Sequence, residues 1–267
     1  GGGRPSFIVA PMKSQILYSH RNEGGTPGKA PLEPWTPSVI ADGRFFAPLT
    51  KPVNVYVLRH GQSEGNATGT FQGKLDFTLD ERGREQAKAA ASWLAGQSID
   101  TIVASPQKRA AETAGFIASA CGIEEIRFLG SLVEVDVGVF AGLTWESSKV
   151  RYPHVFEEFQ YRSWDAVPGA ESSEELYQRA ITSWAAIRDL AEKGAEKICC
   201  VSHGGLIQWL MRSTFGATSW LPLIPTSNCG ISRFDIEPTT REKPVFIQWG
   251  MINFKAPGSG KEAKPVF

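Results

Sequence analysis

A short apolar run that ends in Arg-His-Gly constrains this chain more than any other feature. Residues 53–66 read Val-Asn-Val-Tyr-Val-Leu-Arg-His-Gly-Gln-Ser-Glu-Gly-Asn. Val53, Val55, Tyr56, Val57 and Leu58 are almost continuous in apolar character, which suits a strand covered on both faces. A guanidinium and an imidazole at the carboxyl end of such a strand are badly placed for packing. They are well placed for a ligand, because open α/β sheets bind ligands beyond the carboxyl ends of their strands. Gly61 lets the chain turn and brings main-chain N–H groups near an anion. Alone, the triplet fits a core histidine beside a surface arginine better than a site, because three-residue matches are cheap.

A second apolar run, Lys197 to Val201, ends in Ser202-His203-Gly204-Gly205 and leads into a helical pattern with Leu206, Ile207, Leu210 and Met211. If the two strands lie side by side, His60 and His203 meet. Between them, Thr101–Ala104 reads as a strand. Ser105 as N-cap and Pro106 as first helical residue place Arg109 in a first helical turn, where anions bind. By itself Arg109 also fits an exposed helix arginine. Glu134 stands between Val133 and Val135. An apolar setting would push its pKa upward, as suits a general acid near neutral pH; a carboxylate at a strand edge facing water is the alternative.

Further helices are expected from Thr78, with Glu81 completing a capping box, and from Ser172, with Glu175 doing the same. Leu176, Ala180, Ile181, Trp184, Ile187 and Ala191 recur at helical spacing and predict a buried face. Residues 145–167 are dense in aromatics and read as a small helical excursion. Asn228–Ile236 and Pro244–Ile252 read as late strands at a sheet edge. Residues 1–52 carry Gly and Pro throughout yet include Phe7, Ile8, Leu17, Trp35, Phe45 and Phe46, so an irregular arm lying on the domain, or the end of an upstream module, is expected. The domain proper spans 53–254, and 255–267 form a polar tail.

Lys plus Arg (28) equals Asp plus Glu (28), which gives no global reason to bind nucleic acid or a membrane. No run approaches the length of a transmembrane helix, and Phe7 to Met12 is too short for a signal-peptide core. Cys121, Cys199, Cys200 and Cys229 form no C-x-x-C and no metal-ligand spacing. Cys199 and Cys200, adjacent in a strand, are expected to point to opposite faces as buried small hydrophobes, which favours a reducing, cytoplasmic location.

Arg59, His60, Gly61, Ser63 and Asn66 form the first part of a longer pattern. Ser105-Pro106, Arg109-Ala110 and Thr113 follow, then Leu132, Glu134, Asp136, Gly138, Gly142 and Thr144, and finally Ser202-His203-Gly204. Over roughly residues 53–237 this set resembles the histidine phosphatase superfamily, the phosphoglycerate-mutase-like proteins. The resemblance implies a three-layer α/β/α sandwich around a mostly parallel sheet. It implies that His60 takes a phosphoryl group onto a ring nitrogen, that Arg59, Arg109 and His203 clamp that group, and that Glu134 protonates the leaving group, with Asp136 as runner-up. Gly61, Asn66, Gln72, Gly73 and Gly204 are the expected substrate contacts, and Phe71–Leu79 the mouth. No metal and no cofactor are implied. The expected partner is a small phosphorylated metabolite, and a homodimer stays open. The expected activity is metal-independent phosphomonoester hydrolysis through phosphohistidine. The alternatives are a cofactor-dependent phosphoglycerate mutase, for which Phe71-Gln72-Gly73-Lys74 lacks a Gly-Trp pair, and a catalytically inactive phosphate-binding regulatory module.

Overall fold

The computed structural model describes residues 40–238 and 245–260. The arm before Ile40 and the tail beyond Gly260 lie outside the described residues. The strands are β1 (Val53–Arg59), β2 (Thr101–Ala104), β3 (Ile126–Phe128), β4 (Lys197–Ser202), β5 (Ile231–Glu237) and β6 (Phe246–Phe254). The helices used below are α1 (Glu64–Ala67), α2 (Glu81–Ala95), α3 (Lys108–Cys121), α4 (Trp145–Arg151), α5 (Pro153–Arg162), α6 (Ser173–Glu192) and α7 (Gly204–Phe215).

The sheet runs in the order β3-β2-β4-β1-β5-β6. β1 pairs parallel with β4 and antiparallel with β5, so β5 alone runs against the rest. The near-continuous apolar character of β1 has its cause here: it lies inside the sheet with both faces covered, and all its residues except Asn54 are buried. Val55, Val57, Ile198 and Cys200 face the core shared with α6 and α7. Tyr56, Leu58, Cys199 and Val201 face the other, built with α2 and α3. The adjacent cysteines thus split between the faces, both fully buried. Burial pushes the Cys200 thiol up to about 12, consistent with a packing role.

Packing explains the helix patterns. α6 begins at the expected capping box of Ser172 and Glu175 and buries Leu176, Ala180, Trp184 and Ile187; Ile181 and Ala191 are half-buried. Trp184 meets Phe46 at 5.9 Å and Phe234 at 5.0 Å between ring centroids. Ile40, Phe45, Phe46 and Leu49 are buried in this same core. The excursion over 145–167 folds as α4, α5 and a short 3-10 turn. Its rings interlock with Phe71 and Phe140: Phe159–Trp164 and Trp145–Phe156 both stand at 4.8 Å.

Two helix starts differ from the expectation. α2 is capped by Asp80, whose carboxylate accepts from Gly83 N, and not by Thr78. Residues 78–80 are held extended against 62–64, through Glu64 N to Thr78 O and Asp80 N to Gln62 O, so the helix cannot begin earlier. α3 is entered from Gln107, later than Ser105-Pro106 suggests; Ser105 Oγ accepts from Gln107 N at 3.3 Å and is bonded to His203 Nε2 as well. Gly83, a cost in a helix of roughly 1 kcal/mol, is required by a backbone crossing. A Cβ there would stand 1.9 Å from Gln62 O, and one on Gly61 would stand 2.4 Å from Gly83 O. This close approach seats α2 directly on the turn that follows His60.

Candidate active site

The register of β1 on β4 pairs Arg59 with Ser202, so the two His-Gly turns leave adjacent strands side by side. The His60 and His203 rings stand 5.1 Å apart, and both are buried. His60 Nδ1 lies 2.6 Å from Gly61 O. A carbonyl can only accept, so Nδ1 carries the proton and Nε2 presents its lone pair. Asn228 donates to His60 O and Gly61 N donates to Thr113 Oγ1, which fixes the backbone on both sides of the ring. His203 Nε2 is bonded to Ser105 Oγ at 2.8 Å, and its Nδ1 has no hydrogen-bond partner among the described residues.

Burial, then the charges of Arg109 and Arg59, hold His60 well below the usual imidazole range. Burial, then Arg109, His60, Arg59 and Arg179, do the same for His203. Both effects favour the neutral rings, which leaves the Nε2 lone pair of His60 available. A folding consequence follows. The unfolded histidines bind protons below about pH 6.5 and the folded ones do not, so stability is full above that pH and falls as pH drops beneath it, by up to about 1.4 kcal/mol per unit for each ring. Urea unfolding between pH 5 and 7 should show this slope, and His203→Gln should flatten it; an unchanged slope would contradict the buried neutral pair.

Arg59 closes one side of the cup. Its Nη1 donates to Thr226 O at 2.8 Å. Arg109 is fully buried at the start of α3, which excludes the exposed-helix alternative. Its Nη1 and Nη2 donate to Leu75 O and Gly73 O, while Nε has no partner among the described residues. Burial brings its guanidinium down to about 10, so it remains cationic at neutral pH. Arg109 thus ties the Phe71–Leu79 mouth to the cup, a structural task absent from the sequence reading.

Glu134 is neither in a strand nor in a purely apolar setting. Its carboxylate accepts from Val135 N at 2.9 Å and from Gly205 N and Leu206 N at 3.3 and 3.2 Å, at the N-terminus of α7. A Cβ on Gly205 would stand 2.6 Å from Val135 Cγ2 and 2.7 Å from Glu134 Oε1, so a larger residue there would displace the carboxylate. Asp136, the runner-up, pairs with Lys74 at 2.9 Å and does not line the cleft. Lys74 holds its carboxyl below the usual range against the opposing effect of burial, the largest single influence.

His60, Arg59, Asn66, Gln72, Gly73 and Glu134 line one cleft of about 440 Å³, counting space open to solvent. Asn66 Oδ1 accepts from Ser63 N and Asn228 Nδ2, which commits the oxygen. Gln72 Oε1 accepts from Ser63 Oγ. Gly61 and Gly204 lie in the turns that follow β1 and β4, and a Cβ on Gly204 would crowd Arg59 Cζ at 3.3 Å.

Three further residues hold this constellation and went unrecognised in the sequence. Gln107 accepts from Glu134 N and donates to Gly73 O, joining the acid to the mouth. Arg179, on α6, pairs with Glu171 and donates to Ser131 O and Val133 O, pinning the segment that carries Glu134. Asn228 bridges His60 and Asn66. For Arg179 a cue existed, a cation on the expected buried face of a helix; the other two carried none.

The fold and the paired histidines define the phosphoglycerate-mutase-like class of three-layer α/β proteins. The sequence profile of the histidine phosphatase superfamily (branch 1) matches residues 55–248, and the chain belongs to that superfamily. It is 38% identical to phosphoglycerate mutase-like protein 4 of Arabidopsis thaliana over 64% of this chain and 75% of that one. It is 31% identical to 2-carboxy-D-arabinitol-1-phosphatase of Triticum aestivum over 77% of this chain, spanning 41% of the wheat protein. Among solved structures, mycobacterial hydrolase 1 superimposes with a TM-score of 0.67 at 25% identity, over 77% of this chain and all of that one. Among the described residues no helix is long and apolar enough to cross a membrane, and no three His, Cys, Asp or Glu side chains are grouped to hold a metal ion.

Proposed function

We propose that the protein hydrolyses phosphomonoesters of small metabolites through a phosphohistidine on His60. One observation carries this reading: a neutral, buried imidazole with Nδ1 committed to Gly61 O, facing a second imidazole at 5.1 Å. In the first step the Nε2 lone pair attacks phosphorus. The ester P–O bond breaks, and the Glu134 carboxyl gives its proton to the departing oxygen. In the second step the Glu134 carboxylate takes a proton from water. The hydroxide attacks phosphorus, the P–N bond breaks, and phosphate and neutral His60 are restored. Phosphoryl transfer depends on position and charge. Arg59 and Arg109 supply fixed positive charge, and His203 and the Asn66 amide supply donors.

The mutase alternative uses the same cup and passes the phosphoryl group to a second hydroxyl. The test is to offer phenyl phosphate and, separately, 3-phosphoglycerate with a bisphosphoglycerate primer. Inorganic phosphate released without isomerisation is expected. Isomerisation outpacing release favours the mutase, and inertness toward both favours the non-catalytic module.

A further inference from the structure

We infer that Ser105 is a positioning residue: its hydroxyl donates to His203 Nε2, which puts the imidazole proton on Nδ1 as the N–H that His203 offers to the phosphoryl group. The inference rests on the phosphatase reading and deepens it. Ser105 follows the last residue of β2. Its backbone N–H donates to Val201 O at 2.9 Å, which sets it beside the end of β4 and the turn that carries His203. Both side chains are fully buried, and Ser105 Oγ lies 2.8 Å from His203 Nε2.

The direction of that bond follows from what each choice leaves unpaired. Ser105 Oγ already accepts the Gln107 N–H at 3.3 Å. Among the described residues, the hydroxyl hydrogen has one acceptor within reach, His203 Nε2. If Ser105 donates, Nε2 accepts and the proton of the neutral ring sits on Nδ1. The group left over is then that single N–H, which has no partner among the described residues. If Nε2 donated instead, the buried serine hydrogen would lose its acceptor, and Nδ1 would be a buried lone pair without a donor. One unpaired group is less costly than two, and the one that remains is suited to an anion.

His60 is fixed in the same tautomer for the opposite purpose. Its Nδ1–H is spent on Gly61 O, which bares the Nε2 lone pair. The two rings, 5.1 Å apart, thus supply one nucleophile and one donor. The other tautomer of His203 would offer the phosphoryl oxygens a second lone pair in place of a donor. Burial, then the charges of Arg109, His60 and Arg59, disfavour an imidazolium at His203, so its donor has to come from the neutral ring.

The experiment is nitrogen-15 NMR at pH 7 on the full chain, labelled in its four histidines, with the His203 signals identified by their loss in His203→Gln. His203 is expected to carry its proton on Nδ1, and saturating inorganic phosphate should move that resonance. In Ser105→Ala the proton should shift toward Nε2, and kcat for phenyl phosphate should fall about tenfold or more. Ser105→Thr keeps the hydroxyl and should recover most of the loss, which a packing defect alone would not do. A proton on Nε2 of His203 in the unaltered protein, or an Nδ1 signal indifferent to phosphate, overturns the inference even where hydrolysis is normal. The spectrum of the unaltered protein decides the matter if a variant fails to fold. Failure of the unaltered protein to hydrolyse phenyl phosphate overturns the phosphatase reading instead.

Discussion

Replacing His60 by Ala is expected to lower phosphomonoester turnover by at least about four orders of magnitude, because the group that forms the covalent intermediate is gone. The loss should fall on kcat. Arg59 and Arg109 remain, so vanadate or phosphate should still bind. The variant should also be no less stable at pH 5.5 than at neutral pH by the His60 share, since a buried imidazole that resists protonation has been removed. Steady-state release of inorganic phosphate measures the first effect. Substantial retained turnover would remove His60 from the chemistry and with it the proposed mechanism.

The second large effect concerns Glu134→Gln. With an alkyl phosphate, whose leaving oxygen needs a proton, kcat should fall by about 10²–10⁴-fold. With p-nitrophenyl phosphate, whose leaving group departs without help, the first step should survive while attack of water slows. A rapid burst of one nitrophenolate per chain, followed by slow turnover, is the expected trace in stopped flow. Gln keeps an oxygen for the N–H groups of Val135 and Leu206, so the fold around it should hold. Equal losses for both esters without a burst would make Glu134 a structural carboxylate and reopen the role of Asp136.

The parts of this account legible in the sequence are those where one residue type does one local thing. The nearly continuous apolar run of β1 told of a strand covered on both faces, and the repeated His-Gly told of two strand ends meeting, because adjacent parallel strands end side by side. The helix starts at Asp80 and Gln107 were not legible: Thr78 is a good cap by composition but is held extended by pairing with residues 62–64, and Ser105 receives the Gln107 N–H while α3 itself begins only at Lys108. Glu134 was legible as a carboxyl belonging to the cleft. Its surroundings were not: the donors that hold it belong to α7, some seventy residues away. The supports from Gln107, Arg179 and Asn228 are tertiary in the same sense. Neither Phe71 nor Trp164 announces its place beside the cleft; that arises when the segment 145–167 folds its rings against Phe71.

The most direct test of the central claim is to trap the phosphorylated protein. Glu134→Gln is mixed with p-nitrophenyl phosphate, quenched in alkali, and examined by phosphorus NMR and peptide mass spectrometry. The account predicts one phosphoryl group per chain, on Nε2 of His60, stable in base and lost in acid. A phosphoryl group found on His203 or on an oxygen side chain, or turnover that continues with His60 never modified, would contradict it.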